Sequence, residues 1–341
     1  MDTRLVETVT LSQAKAMIRA LAHDQSLLLL SSPGVGKSDV VRQAADSAGL
    51  PCRSLLGTQI APEDVSGVPR IIGERSVFCP PRVLLPESPE PFCLFLDELP
   101  AAAPDVQKAF YSLLLERRIG EFSLPKGTWV VAAGNRAEDR ALVRTISSAL
   151  VNRVFVIEIR VDQKEWLTWA KSNGVRADIL SFVTFMPQAL QRGVPRDPVP
   201  FSTPRGWATL SRALDLAEKA GILDTTTRRA LAFGRVSSQD AAIFCSMAES
   251  AIGSLRPIEE YLNQPSLLPS EDVARWFIID RIRKAVQHKD LPVVSAAKIN
   301  EFLRSVPQEF AFALMIDLVP QWADLGANQA MFEAMKEVTG L

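Results

Sequence analysis

Histidine and cysteine are scarce in this chain and badly spaced for metal. Two histidines, His23 and His288, and four cysteines, Cys52, Cys79, Cys93 and Cys245, are all that its 341 residues offer. None of the cysteines forms C-x-x-C, so they supply no zinc constellation. They read as small apolar residues kept reduced in a core. Long apolar runs are missing as well. No stretch approaches the roughly 20 residues that a bilayer span needs, and the opening MDTRLVETVT lacks the apolar centre of a signal peptide. The expected location is cytoplasmic, with no membrane span. Nor is there a surplus of either charge sign. The 38 basic and 39 acidic side chains leave a formal charge of −1. No global field draws such a chain to nucleic acid or acidic lipid, although a local basic channel stays open. Internal repeats and low-complexity tracts are absent too.

What remains is an ordinary globular composition, 47% hydrophobic and 23% charged. A chain of this length buries about three quarters of its unfolded surface and forms two or three domains. Up to residue 161, strand-like and helix-like segments alternate. SLLLL (26–30) is a short apolar run ended by a Gly/Pro loop, and a helix follows from Lys37 to Ala48 with Val40, Val41, Ala44 and Ala45 on one face. PFCLFL (91–96), TWVVAA (128–133) and VFVIEI (154–159) read as further buried strands. A helix is expected from Pro104 through Leu114, with Val106, Ala109, Phe110 and Leu113 at helical spacing. Such alternation argues for a mainly parallel sheet covered on both faces. After residue 161 the pattern changes. Residues 187–204 are proline-rich and read as a loop. Helices are then expected over 204–220, 225–233 and 238–252, the last with Ser237 and Asp240 at capping-box spacing. The expected domains are an α/β core (1–161), an all-α lid (162–252) and a helical C-terminal extension (253–341).

Three strand ends carry the chemistry. The first leads into SSPGVGKS (31–38), close to the phosphate-loop pattern G-x-x-x-x-G-K-[ST] except that Ser31 stands where glycine is expected. In such a loop Pro33, Gly34, Val35 and Gly36 let backbone N–H groups approach a polyphosphate at a helix start. Lys37 reaches the β- and γ-phosphates, and Ser38 holds Mg²⁺. The second strand, in CLFLDELP (93–100), ends in Asp97 and Glu98. Two unpaired acids there are costly to packing alone. Asp97 suits Mg²⁺ and Glu98 suits polarising a water. The third ends in Asn135, an amide able to orient that water or meet the γ-phosphate. Ligands of open α/β sheets sit at the carboxyl ends of strands.

Together these motifs resemble AAA+ ATPases, and within them the MoxR-like group of the branch that includes dynein- and midasin-type domains. The resemblance spans roughly residues 8–250. APEDVSGVPR (61–70) is similar to the approach to that group's inserted hairpin. LLLERRIGEFSLP (113–125) is similar to its helix and hairpin before the third strand, ALVNRVFVIEI (149–159) to its arginine-finger segment, and STPRGW (202–207) to its second sensor. The resemblance implies a P-loop AAA+ core, ATP with Mg²⁺, and a homo-oligomeric ring, expected to be a hexamer. Arg153 would be the finger offered to a neighbour's ATP, and Arg144 a second contact in trans. Arg205 would sense the γ-phosphate in cis, placed in a helix's first turn by Thr203 and Pro204. A hairpin within 68–81 turns at Gly73-Glu74-Arg75, and Arg70, Glu74 and Arg75 would meet a substrate if it faced a pore. Trp166, Trp169 and Trp207 read as lid core. The resemblance implies remodelling of a protein client in the manner of a chaperone, alongside a von Willebrand factor A partner. The competing readings are a motor on nucleic acid, disfavoured by the charge, and a nucleotide-gated scaffold in which Ser31 marks weakened hydrolysis.

Overall fold

The computed structural model describes residues 7–87, 90–136, 139, 147–248, 258–269, 275, 278, 279, 282, 296–307 and 311. The chain divides into two compact units. One comprises Met1–Gly174, Gln188–Leu210 and Arg235–Ser237, and the other Val175–Pro187, Ser211–Gly234 and Ser238–Leu341.

The first unit is built on strands β1 (Thr8–Val9), β2 (Leu27–Leu30), β3 (Cys52–Leu56), β6 (Cys93–Asp97), β9 (Trp129–Gly134) and β10 (Phe155–Ile159). They form one six-stranded sheet in the order β1-β10-β2-β9-β6-β3. Every neighbouring pair in it is parallel. A parallel sheet needs crossovers that cover both faces, which is why the central strands β2, β9 and β6 are almost wholly apolar, while β10, nearer the edge, carries Glu158. Strand alternation then sorts the side chains. Leu27, Leu29, Phe95, Val131 and Ala133 pack on one side with Val40, Val41, Ala44 and Ala45. Leu28, Leu94, Leu96, Val130 and Ala132 pack on the other with Val106, Phe110, Leu113 and Leu114.

The helices of this unit begin with α1 (Leu11–Leu21), α2 (Lys37–Ser47) and the single turn α3 (Glu63–Ser66). Where one helix is expected after Pro104 there are two, α4 (Pro104–Ala109) and α5 (Tyr111–Glu116). The chain turns between them at Phe110, with φ −85° and ψ −3°, so that this fully buried ring reaches the core. Next come α6 (Ser148–Val151) and α7 (Gln163–Ser172). Two short antiparallel ribbons stand beside the sheet, β4–β5 (Val68–Ile72 with Arg75–Cys79) and β7–β8 (Arg118–Ile119 with Phe122–Ser123). In the first, Ile72 pairs with Arg75, so the expected turn residue Arg75 opens the return strand instead.

The second unit contains α8 (Ala177–Phe185). The segment 187–204 is a loop apart from one 3-10 turn at Pro187–Ala189. Helix α9 (Pro204–Lys219) follows; the loop from Gln188 and the helix as far as Leu210 belong to the first unit, whereas α10 (Thr225–Phe233) and α11 (Ser238–Met247) belong to the second. Phe182 meets Phe244 edge-on at 5.7 Å between centroids. Arg176 is the polar hub, pairing with Asp178, Asp215 and Glu218, while Arg228 also reaches Asp178. Asp178 is buried and would be untenable without these two guanidinium groups. Further along the chain, α12 (Ile258–Asn263) and α13 (Ala296–Ser305) are helical. Among the described residues no helix is long and apolar enough to cross a membrane. Of the tryptophans expected in a lid core, Trp166 and Trp207 are buried but belong to the first unit, and Trp169 is 39% exposed.

The start of α1 is tied down by Thr10. Its hydroxyl caps the helix and also donates 2.6 Å to Glu165 on α7, while Gln13 closes a reciprocal capping box. Thr10→Ala should therefore cost about 1–2 kcal/mol, the upper part of the usual cap range. Thr10→Ser should recover most of it, as read from denaturant midpoints.

Candidate functional site

The site forms because β2 stops at Leu30 and the chain must turn into α2 within six residues. Gly34 and Gly36 make the turn possible, with φ of +75° and +116°. Gly34 also leaves no space for a side chain, since an added Cβ would lie 2.7 Å from the Thr203 hydroxyl. Ser31 needs no such freedom. Among the described residues only Glu98 and Arg117 are non-glycine residues with positive φ. Serine at 31 is therefore unstrained and fully buried.

Lys37, the first residue of α2, folds back over the loop. Its Nζ donates to the carbonyl and hydroxyl oxygens of Ser31 at 3.0 Å each and to the Ser32 carbonyl at 3.2 Å. It also donates to Asn135 Oδ1 at 3.1 Å. Burial pushes the ammonium down to about 8. Asp97 opposes the shift, Arg205 and Arg136 add to it, and Asp139 works against it. Ser38 Oγ donates 2.8 Å to Asp97 Oδ2. Glu98 follows Asp97 in a left-handed conformation, φ 54° and ψ 28°, and its Oε2 accepts from Thr58 at 3.0 Å. A glutamate held there is locally strained, a cost that active sites often carry.

Arg205 enters from α9. Its backbone N–H donates 3.0 Å to the Gly34 carbonyl, and the Thr203 hydroxyl caps the same turn by accepting from Gly206. The start of this helix thus packs directly on the loop. Pro33 to Ser38, Asp97, Glu98, Asn135 and Arg205 are therefore gathered at one end of the sheet.

Arg153 is elsewhere. Backbone pairing places Phe155 beside Leu27, at the opposite end of β2 from the loop. About 10 Å of strand separates those ends. Arg153 follows α6, donates to the Ala149 carbonyl at 2.6 Å and lies over the Tyr111 ring. Arg144 lies outside the described residues.

One cluster beside the site is absent from the sequence reading. Arg136, the residue after Asn135, grips both carboxylate oxygens of Asp139 at 2.9 Å. It also bonds Glu158 at 2.9 Å and the Ser32 hydroxyl at 2.7 Å. Ser32 in turn donates to Asp139 at 2.9 Å. This network ties the phosphate loop to the end of β9. Its one local signal is the Arg136–Asp139 spacing, since Ser32 and Glu158 are far away in sequence.

Residues 26–161 match the family model of the AAA domain, dynein-related subfamily. That stretch is an AAA domain, of the ATPase family, and the α/β core with a parallel sheet agrees with it. No curated protein matches the sequence. Among solved structures, the RuvB Holliday junction branch migration motor of Thermotoga maritima is 14% identical, over 81% of this chain and 80% of that one, with a TM-score of 0.41. NtrX from Brucella abortus is 12% identical over 71% and 69%, with a TM-score of 0.33.

Burial raises the Asp139 carboxyl, but hydrogen bonds from Arg136 and Ser32 outweigh it and hold the group below its ordinary 3.8. A depressed carboxyl stabilises the fold above that value and stops doing so as pH falls through the folded pKa. Asp139→Asn should cost about 1–3 kcal/mol at pH 7, because Arg136 loses a charged partner. The gap to wild type should narrow as pH falls below 3.8 through the lowered folded pKa, as read from denaturant unfolding over a series of acidic pH values.

Proposed function

We propose that the chain is a Mg²⁺-dependent ATPase of the MoxR-like kind that hydrolyses ATP at the interfaces of a ring and spends the energy on remodelling a protein client. The observation that carries this reading is the separation of the arginines. The phosphate loop, both acids, Asn135 and Arg205 share one end of the sheet, while Arg153 stands at the other and cannot reach its own loop. A second copy has to bring one copy's Arg153 to another's loop.

In this reading Gly34, Val35 and Gly36 offer backbone N–H groups to the phosphates, and the start of α2 adds its dipole. Lys37 exchanges its loop oxygens for those of the β- and γ-phosphates. Ser38 and Asp97 would hold Mg²⁺. Their side-by-side oxygens are the hard donors that this ion prefers, and two protein ligands leave positions for water and phosphate. Held there, the ion would supply positive charge against the charge that develops on the phosphates. Glu98 draws the proton from the attacking water, and Asn135 fixes that water's direction. Arg205 reads the γ-phosphate in cis, from a helix already bonded to Gly34. A finger supplied by a neighbour stabilises charge on the transferred group, an effect worth about 10³–10⁵ in rate in related chemistry.

The β4–β5 ribbon favours a protein client over nucleic acid. Ile71 is 83% exposed, Val68 67%, Ile72 62% and Phe78 49%. Such an apolar surface suits polypeptide, with Glu74 at its turn and Arg70 and Arg75 on its two strands. A partner with a von Willebrand factor A domain and a six-membered ring belong to the same proposal.

Phosphate release should rise per subunit with protein concentration, because hydrolysis needs an interface. Glu98→Gln should abolish release while nucleotide still binds. Arg153→Ala should lower it by about 10³ or more at every concentration. Lys37→Ala should remove binding itself, as read by calorimetry. Full turnover in a sample diluted to monomers would rule out the shared site, and stimulation by DNA that salt abolishes would point to the nucleic-acid motor.

A further inference from the structure

Arg153 is not left to find its own direction. The centre of its guanidinium lies 4.7 Å from the centroid of the Tyr111 ring, within cation–π range. The same tyrosine holds the segment that carries the arginine. Its hydroxyl is 2.7 Å from the hydroxyl of Ser147. Ser147 is the N-cap of α6 and accepts from Leu150 N–H. Two residues after α6 comes Arg153, whose Nη1 is bonded to the Ala149 carbonyl. One aromatic side chain at the start of α5 thus touches the beginning of the 147–153 segment and its tip. The two ends are fixed relative to each other through a rigid ring.

We propose that Tyr111 is the positioning residue for the Arg153 finger. Its ring presents the guanidinium in one orientation, and its hydroxyl clamps the short helix from which the finger projects. This inference rests on the proposed trans role of Arg153. A four-residue helix has little rigidity of its own. Arginine also has many rotamers to lose on docking, so holding it in advance reduces the cost of assembling the shared site. Among the described residues the Ser147 hydroxyl meets Tyr111 and Leu150, and the Tyr111 ring meets Arg153, none of them in the phosphate site, so they act through Arg153.

The test is steady-state ATP hydrolysis by the full chain at a concentration where release per subunit no longer rises, with oligomeric state checked by sedimentation. Tyr111→Leu should lower kcat at least tenfold and leave KM within threefold. Tyr111→Phe, which keeps the ring and loses the clamp, should lower it two- to fivefold. In an Arg153→Ala background neither change should reduce kcat further, which a merely structural role for the tyrosine would not produce. Wild-type or faster turnover in Tyr111→Leu would overturn the inference and show that the stack parks the finger instead. The same losses repeated on top of Arg153→Ala would overturn it too. If Tyr111→Leu does not fold, the comparison of Tyr111→Phe in the two backgrounds decides alone. An Arg153→Ala enzyme with unchanged turnover would remove the finger itself, and this inference with it, whereas a large loss there with none in either Tyr111 variant would remove only the inference.

Discussion

The structure is organised around a buried ammonium. Lys37 is 8% exposed, and a charge so enclosed is affordable only if oxygens surround it. Four of them do, from Ser31, Ser32 and Asn135. That single requirement fixes the path of the phosphate loop, brings the end of β9 against the end of β2, and explains why residue 31 can carry a hydroxyl. The cage resembles what a triphosphate offers, namely several oxygens converging on one cation. Lysine and loop thus hold each other in place through these four hydrogen bonds.

Around the cage the same logic spreads outward. Arg136 sits one residue beyond Asn135, so whatever orients Arg136 also orients Asn135. Its partners are Asp139, Glu158 and Ser32, which lie on three separate stretches of chain. The ends of β2, β9 and β10 are thus linked by charge as well as by backbone pairing. Bidentate guanidinium–carboxylate geometry makes such a link directional as well as attractive. Thr203 and Arg205 close the opposite side by packing on Gly34, so the start of α9 is coupled to the loop through one backbone hydrogen bond. A change in the loop on nucleotide binding would be felt there first.

Much of this was legible in sequence because it depends on local patterns. Strands β2, β6 and β9 are near-continuous apolar runs, β10 is one broken only by Glu158, and α2 announces itself by period and by its glycine loop. Asp97, Glu98 and Asn135 could be placed because each ends such a run. Other elements carried no local signal. Strand β1 is two residues long, and β3, CRSLL, is a half-buried edge with mixed polarity. Both exist because neighbours pair with them. The break at Phe110 answers to burial of one ring, which periodicity does not register. The Arg136 network was invisible for the same reason, since Ser32 and Glu158 lie 104 and 22 residues away. Ser31 looked like damage to a motif only because the pattern records residue types, whereas the fold asks for a backbone angle, and here the angle is ordinary.

The placement of Arg153 follows from topology. In a parallel sheet every strand points the same way, so a residue just before a strand is a strand's length from a residue just after its neighbour. Arg153 precedes β10 and the phosphate loop follows β2, and these two strands are paired. No rearrangement within one sheet brings them together without breaking that pairing. A chain with this strand order that uses both groups in one reaction must use them from two copies. Rate then becomes a property of assembly, and anything that shifts the interface also shifts hydrolysis. Leu115, Val151 and Phe155, on α5, α6 and β10, are exposed at 57%, 39% and 56%, and a second subunit that reached Arg153 in the proposed way would have apolar surface to cover there. If both groups serve one reaction, the chemistry at one end of the sheet and the surface at the other pose a single problem of geometry, which only an interface between copies would solve.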